Sequence, residues 1–194
     1  MRKLKAPAVF IDRDGTINKE VGYLDSLDKL VIYPNAFAAI KIINQSGMKA
    51  IVVTNQSGVA RGYFTEDFVC QVHLRIQELL NVQDAHIDAF FYCPHHPVEG
   101  QGGYRQNCFC RKPEAGLLLE AEKEMDIDLE RSYVIGDAMK DIEAGFKAGS
   151  KCILVRTGYG KEAEKEIFNS AFKPSYVAED ILDAVNWIMK CRNH

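Results

Sequence analysis

Short apolar runs alternate with longer stretches of helical periodicity along the chain. Six runs bounded by polar or turn residues predict strands at 8–12, 49–55, 89–93, 132–137, 151–158 and, with the weakest pattern, 175–180. Apolar positions at helical spacing predict helices at 35–47, 65–81, 114–126, 141–149 and 180–191. Because strands that alternate with helices form a parallel sheet covered on both faces, we predict an α/β fold. The length of 194 residues suits a single domain over 1–194.

One segment, residues 94–113, breaks this alternation. Its sequence, PHHPVEGQGGYRQNCFCRKP, contains three prolines and three glycines. A loop of this length in a compact domain is usually functional or is held by a specific contact. Two short pairs lie near its ends, Cys93 with His95 and Cys108 with Cys110. Four such ligands suit a closed tetrahedral site, so we predict a structural Zn²⁺ that holds residues 93–110, the Cys/His loop.

Two unrelated cysteine pairs are the alternative, since the spacing within each pair is tighter than the usual C-x₂-C of zinc sites. The other three cysteines lie in helical or strand patterns, and we expect them to be buried core thiols. They are Cys70, Cys152 and Cys191.

Composition and charge narrow the class of protein. Apolar residues make up 47% and charged residues 26%, and the net charge of −3 disfavours non-specific nucleic-acid binding. No apolar stretch approaches the roughly 18 residues that a transmembrane helix needs. The basic start, MRKLKAPAVFID, has a short apolar run that ends in aspartate, so we interpret it as a first strand and not a signal peptide. We therefore expect a cytoplasmic protein with neither nucleic acid nor membrane as a partner.

The stretch VFIDRDGTIN, residues 9–18, places two aspartates at the end of the first predicted strand. Asp12, Thr54 and Asp137 each end a predicted strand, and Asp14 follows on a turn eased by Gly15. Because ligands of α/β sheets bind beyond the carboxyl ends of the strands, these side chains should meet at one edge. Carboxylate oxygens suit Mg²⁺, so we predict a magnesium site there. A plain turn or helix cap is the alternative for the aspartates taken alone.

Four segments in this order, DRDGT, VVTNQSG, RKP and GDAMKD, resemble the signature motifs of the haloacid dehalogenase-like phosphatase superfamily. The resemblance implies a Rossmann-like parallel sheet without a large cap domain. It implies that Asp12 is the nucleophile, forming an aspartyl-phosphate, and that Asp14 is the general acid/base. It places Thr54 and Lys112 on the phosphate. It assigns Mg²⁺ to Asp12, Asp137 and the backbone carbonyl of Asp14, and we expect Asp141 to lie outside the direct ligands.

A narrower branch is also similar, the bacterial heptose 1,7-bisphosphate 7-phosphatases. DRDGTIN, VVTNQSGVARGYF, YCPHHP and CFCRKP carry this resemblance. It implies a monomeric enzyme that removes the 7-phosphate of a small sugar bisphosphate used in building the cell envelope. The substrate-binding residues it implies are Glu20, Val21, Gly22, Tyr23, Asn55, Gln56, Ser57 and Arg111. One departure is Ala138, at a position where this branch often has lysine.

Several alternatives stay open. Histidinol-phosphate phosphatases share the aspartates and a zinc loop, but the twelve residues between His95 and Cys108 favour the heptose branch. Polynucleotide 3′-phosphatases would need a basic track. A non-catalytic, zinc-stabilised binding module is an alternative of another class. Arg61 could meet a second phosphate or be a surface residue, and Tyr104 and Phe109 could touch substrate or only pack the loop.

Overall fold

Six parallel strands form one sheet at the centre of the computed structural model, which describes residues 5–192. The strand order is β3-β2-β1-β4-β5-β6, and each predicted strand is present. Their bounds are β1 Ala8–Ile11, β2 Lys49–Asn55, β3 Ala89–Cys93, β4 Tyr133–Gly136, β5 Lys151–Val155 and β6 Tyr176–Ala178. Residues 1–4 of the basic start, like residues 193–194, lie outside the described part.

Five helices match the predicted helices to within about two residues at each end. They are α1 Pro34–Gln45, α2 Glu66–Asn81, α3 Gly116–Met125, α4 Met139–Lys147 and α6 Ile181–Arg192. One further helix, α5 Gly160–Glu166, occupies a segment without a predicted element. Its sequence GKEAEKE carries no apolar periodicity, since only Gly160 and Ala163 are buried. The Cys/His loop contains only a short 3₁₀ turn, Gly102–Tyr104.

The two faces of the sheet bury two separate apolar layers. Successive side chains of a strand point to opposite faces, so Val9 and Ile11 enter one layer and Ala8 and Phe10 enter the other. Helices α1, α2 and α6 cover the first layer. Helices α3, α4 and α5 cover the second. The predicted α/β sandwich is confirmed, and no large cap domain interrupts the described chain.

The central strand β1 decides where a site can form. It lies between β2 and β4, and Ile11 pairs with both Val52 and Ile135. The chain therefore changes the direction in which it adds strands at this point, and a crevice opens beyond the carboxyl ends of the strands there. Asp12 directly follows β1 and sits in this crevice, with its backbone N–H donating to the Ile135 carbonyl at 2.9 Å.

The prediction of three buried core thiols is correct only for Cys152. Cys70 on α2 and Cys191 on α6 are exposed, because each lies on the solvent side of an amphipathic helix. Among residues 5–192, no helix is both long enough and apolar enough to cross a membrane.

Candidate active site

The Asp12 side chain is buried at the end of β1, with 5% of the residue exposed. One carboxylate oxygen, Oδ1, accepts the backbone N–H of Arg13 at 2.7 Å and lies 3.0 Å from the Lys112 ammonium. Burial raises the pKa of Asp12, while the positive charge of Lys112 opposes the rise. The carboxylate is thus held in one orientation at the crevice.

The Lys112 ammonium has an acceptor within the protein for each of its three N–H donors. The Nζ atom lies 3.0 Å from Asp12 and 2.7 Å from Asp141 and donates to the Val53 carbonyl at 2.7 Å. An ammonium has three N–H donors, so these three acceptors match it. Burial alone would lower the pKa of Lys112, but the two carboxylates outweigh it, so the pKa is raised and the ammonium stays charged.

Asp137 follows β4 and is clamped between two glycines. A Cβ atom added to Gly15 or to Gly158 would lie 2.0 Å from the Asp137 Oδ2 atom. Both glycines have positive φ, +83° and +54°, which other residues rarely adopt. The same oxygen accepts the backbone N–H of Tyr159 at 2.8 Å. Gly15 therefore leaves space for the Asp137 carboxylate, which a side chain at this position would occupy.

Three carboxylates converge beside this clamp. Asp12, Asp137 and Asp141 each place one oxygen within 4.8 Å of the others. Burial, followed by the charges of Asp12 and Asp141, raises the pKa of Asp137 to about 8. Such crowding of buried carboxylates fits a divalent cation with oxygen ligands. Asp141 pairs with Lys112 through one oxygen and accepts the Ala138 N–H at 3.1 Å through the other.

Asp14 lies in a dense hydrogen-bond network. Its carboxylate accepts from the buried Arg13 guanidinium at 2.8 Å, from Asn18 at 2.9 Å and from Gln56 at 2.9 Å. Burial acts to raise the pKa of Asp14, but the Arg13 charge and these hydrogen bonds outweigh it and lower the pKa. Gln56 also donates to the Thr54 hydroxyl at 2.9 Å, which links Asp14 to the end of β2.

Asn55 connects the end of β2 to Lys112. Its side-chain amide accepts the Lys112 backbone N–H at 3.0 Å and donates to the Lys112 carbonyl at 2.9 Å. These two hydrogen bonds hold the Lys112 backbone against the end of β2. The residue predicted to touch substrate also anchors the lysine.

These side chains surround a cavity of about 250 Å³. Ten predicted site residues line it: Asp12, Asp14, Glu20, Gly22, Tyr23, Thr54, Asn55, Gln56, Ser57 and Arg111. Lys112 and Asp137 are buried and do not line it. Val21 does not line it either, and 42% of this residue is exposed.

Sequence reasoning missed five lining residues, which are Leu24, Gly58, Phe64, Lys140 and Tyr159. Lys140 and Tyr159 had a usable signal. Each lies four residues beyond the end of a strand, β4 or β5, at the same edge as Asp12. Leu24 and Phe64 carry no comparable signal, since only the packing of their loops brings them to the cavity.

The Cys/His loop closes on itself through its four predicted ligands. Cys93, His95, Cys108 and Cys110 each place one ligand atom within 4.8 Å of the others. The Sγ atoms of Cys93 and Cys108 are 3.5 Å apart, and His95 Nδ1 is 3.3 Å from Cys110 Sγ. A tetrahedral zinc with ~2.3 Å bonds to sulfur has ligand atoms about 3.8 Å apart, so the set fits zinc.

Other contacts fasten the Cys/His loop to its surroundings. The Tyr104 hydroxyl donates to Glu66 on α2 at 2.6 Å, which makes Tyr104 a packing residue of the loop. Arg61 forms an ion pair with Glu99 and lies 3.1 Å from His96 Nε2. Arg61 does not line the cavity, nor does Phe109, which is exposed.

The parallel sheet, with aspartates at the switch point of its central strand, agrees with a match to the haloacid dehalogenase-like hydrolases. The family model described as HAD-hydrolase-like matches residues 109–184. The chain belongs to the family of D-glycero-D-manno-heptose-1,7-bisphosphate 7-phosphatases.

Two relatives of that name support the assignment. The Haemophilus influenzae protein, D-glycero-beta-D-manno-heptose-1,7-bisphosphate 7-phosphatase, is 41% identical over 91% of this chain and 93% of its own. The Thermosynechococcus vestitus protein is 40% identical over 94% and 95%. The crystal structure of the D,D-heptose 1,7-bisphosphate phosphatase of B. bronchiseptica, complexed with magnesium and phosphate, matches with a TM-score of 0.84 and 28% identity. That match covers 95% of this chain and 98% of the other.

Proposed function

We propose that this chain is a Mg²⁺-dependent phosphatase that removes the 7-phosphate of D-glycero-D-manno-heptose 1,7-bisphosphate. The observation that carries the proposal is the Asp12 carboxylate, oriented by Lys112 and the Arg13 N–H and open to a cavity that Asp14 also lines. The names of its relatives at about 40% identity support the choice of substrate.

In the first step an Asp12 oxygen attacks phosphorus, and the bond from phosphorus to the sugar oxygen breaks. Asp14 gives its proton to the leaving sugar oxygen. The Arg13 charge and the hydrogen bonds from Arg13, Asn18 and Gln56 favour the ionised form of Asp14 before substrate binds. A phosphate dianion beside it favours the protonated form, because like charges raise a carboxyl pKa.

In the second step water attacks the aspartyl-phosphate and gives a proton to Asp14. The bond from phosphorus to Asp12 breaks, inorganic phosphate leaves, and both aspartates return to their starting states. Thr54 and the backbone around it would hold the phosphate oxygens, with Gln56 fixing the hydroxyl.

Asp12, Asp137 and the backbone carbonyl of Asp14 would hold the Mg²⁺, with Asp141 balancing charge through Lys112. The bound ion would supply positive charge that offsets the negative charge of the phosphate oxygens. Cys93, His95, Cys108 and Cys110 would hold a structural Zn²⁺. Four protein ligands would fill the coordination that a structural zinc prefers, so this ion would hold the loop together and take no part in catalysis.

The direct test is phosphate release, with Mg²⁺, from both anomers of heptose 1,7-bisphosphate, from histidinol phosphate and from an aryl phosphate. We expect clear preference for one heptose anomer. Preference for histidinol phosphate would change the proposed substrate and would still agree with the proposed catalytic roles. Hydrolysis of the aryl phosphate alone would reject the proposed substrate, and no hydrolysis at all would reject the proposed activity.

A further inference from the structure

Lys140 is the second residue of α4, and it lines the cavity together with Asp12, Asp14 and Glu20. The side chain is exposed. Among residues 5–192, no carboxylate forms an ion pair with its ammonium and no side chain or backbone group accepts a hydrogen bond from it. A cation in this position is available to a ligand in the cavity.

The other cations near Asp12 are already engaged. The three donors of Lys112 point to Asp12, Asp141 and the Val53 carbonyl. The Arg13 guanidinium is bound to Asp14 and Gln56. Arg111 lines the cavity and donates one N–H to the His95 carbonyl at 3.0 Å. A phosphate arriving at Asp12 therefore finds few free donors on the buried side.

A phosphate that enters the cavity adds negative charge to a space already rich in carboxylates. Asp12, Asp137 and Asp141 lie together, and Glu20 and Asp14 line the same space. Lys140 lines this space beside Asp12 and Glu20, so its ammonium lies at the end of the cavity that holds the nucleophile.

We propose that the Lys140 ammonium binds the phosphoryl group that is transferred to Asp12, and not the phosphate that the sugar keeps. This inference rests on the proposed phosphatase activity. The ammonium donates to a phosphate oxygen in the bound substrate and in the phosphate product, and it offsets the charge that spreads over those oxygens during transfer.

The test compares the wild type with Lys140→Met, which keeps the length of the side chain and removes its charge. Lys140→Arg restores the charge, and Lys123→Met makes the same change at an exposed site on α3 outside the cavity. Two quantities are measured with saturating Mg²⁺. One is the inhibition constant of inorganic phosphate, and the other is kcat/KM for heptose 1,7-bisphosphate and for p-nitrophenyl phosphate. Thermal unfolding confirms that all variants fold.

We expect Lys140→Met to weaken phosphate inhibition about tenfold and to lower kcat/KM for both esters by a similar factor. Lys140→Arg should recover most of the loss, and Lys123→Met should match the wild type. Unchanged inhibition and unchanged kcat/KM would overturn the inference. A loss confined to the bisphosphate would also overturn it, because it would place Lys140 on the retained phosphate. A wild type that cleaves no ester would reject the proposed function itself.

Discussion

Asp12 and Asp14 are two residues apart, yet their surroundings shift their proton affinities in opposite directions. Burial raises the pKa of Asp12, while for Asp14 the Arg13 charge and its hydrogen bonds outweigh burial and lower the pKa. The proposed roles need the reverse order, with ionised Asp12 and protonated Asp14. The two reaction partners supply it, since a divalent cation favours ionised Asp12 and a phosphate dianion favours protonated Asp14.

Asp12→Asn should abolish turnover, by about 10³-fold or more, because an amide oxygen is a poor nucleophile toward phosphorus. The fold should persist, since the change removes one of three crowded carboxylates and keeps the side-chain shape. Asp126→Asn is the matched control, because Asp126 is exposed, lies outside the cavity and has a left-handed backbone that Asn tolerates. Phosphate release and thermal unfolding check both; a turnover near wild type would contradict the nucleophile assignment.

Asp14→Asn should lower kcat by about 10²- to 10⁴-fold, the usual effect of losing a general acid/base. Mg²⁺ binding should persist, because only the backbone carbonyl of Asp14 is proposed to touch the ion. Titration with Mg²⁺ and steady-state hydrolysis of an ester with a poor leaving group measure the two effects separately. A near-normal rate with such an ester would be incompatible with the acid role.

At the scale of elements, β2 and the Cys/His loop jointly place Lys112. Asn55, the last residue of β2, holds both backbone groups of Lys112. From the other side, Arg111 donates to the carbonyl of His95, a proposed zinc ligand, at 3.0 Å. The proposed zinc would therefore also order the segment that carries Arg111 and Lys112, and so connect the proposed metal site to the proposed catalytic site.

Cys108→Ala should remove zinc from the protein and loosen the Cys/His loop, because three ligands no longer close the tetrahedron. Catalytic rate should fall with it, since the loop leads directly into Arg111 and Lys112. Zinc content by elemental analysis, loop proteolysis and kcat are the measurements. Cys70→Ala, at an exposed thiol on α2, is the control and should change none of them. Retention of zinc in Cys108→Ala would remove this cysteine from the ligand set.

For the molecule as a whole, the pH dependence of stability should include a buried histidine that does not line the cavity. His73 on α2 is 6% exposed and stacks on Phe90 of β3 with ring centroids 4.5 Å apart. Burial, followed by the charge of Arg13, lowers the pKa of His73 to about 3. Below pH ~6.5 the unfolded chain binds a proton at this residue that the folded chain does not bind until about pH 3.

The free energy of unfolding should therefore fall as the pH drops from 6.5 toward 3, by up to about 1.4 kcal/mol per pH unit from this residue. His73→Phe should flatten that dependence, because phenylalanine takes up no proton and can keep the stack on Phe90. Denaturant unfolding at pH 4 to 7 measures the slope. His86→Phe, at an exposed histidine, is the control and should keep the wild-type slope. An equal slope in His73→Phe would show that His73 is not the group responsible.

Local patterns along the chain were enough to predict the six strands, five of the helices and the edge at which the acidic residues meet. The reason is that strand and helix periodicities are local, and parallel strands bring their carboxyl ends to one side whatever the details. The motif around Asp12 and the spacing of the Cys/His ligands are also local features, because residues that serve one site lie close together along the chain there. Helix α5 was not predicted, because its seven residues bury too little apolar surface to produce a helical periodicity in the sequence.

The way in which those residues meet depends on contacts between distant parts of the chain. The clamp of Asp137 between Gly15 and Gly158 joins segments more than 140 residues apart, and no local pattern records it. The exposure of Cys70 and Val21 depends on what packs beside each side chain, and so does the availability of the Lys140 ammonium to a ligand. Residue type shows what a group can do chemically, but contacts between distant segments decide which of its donors and acceptors remain free.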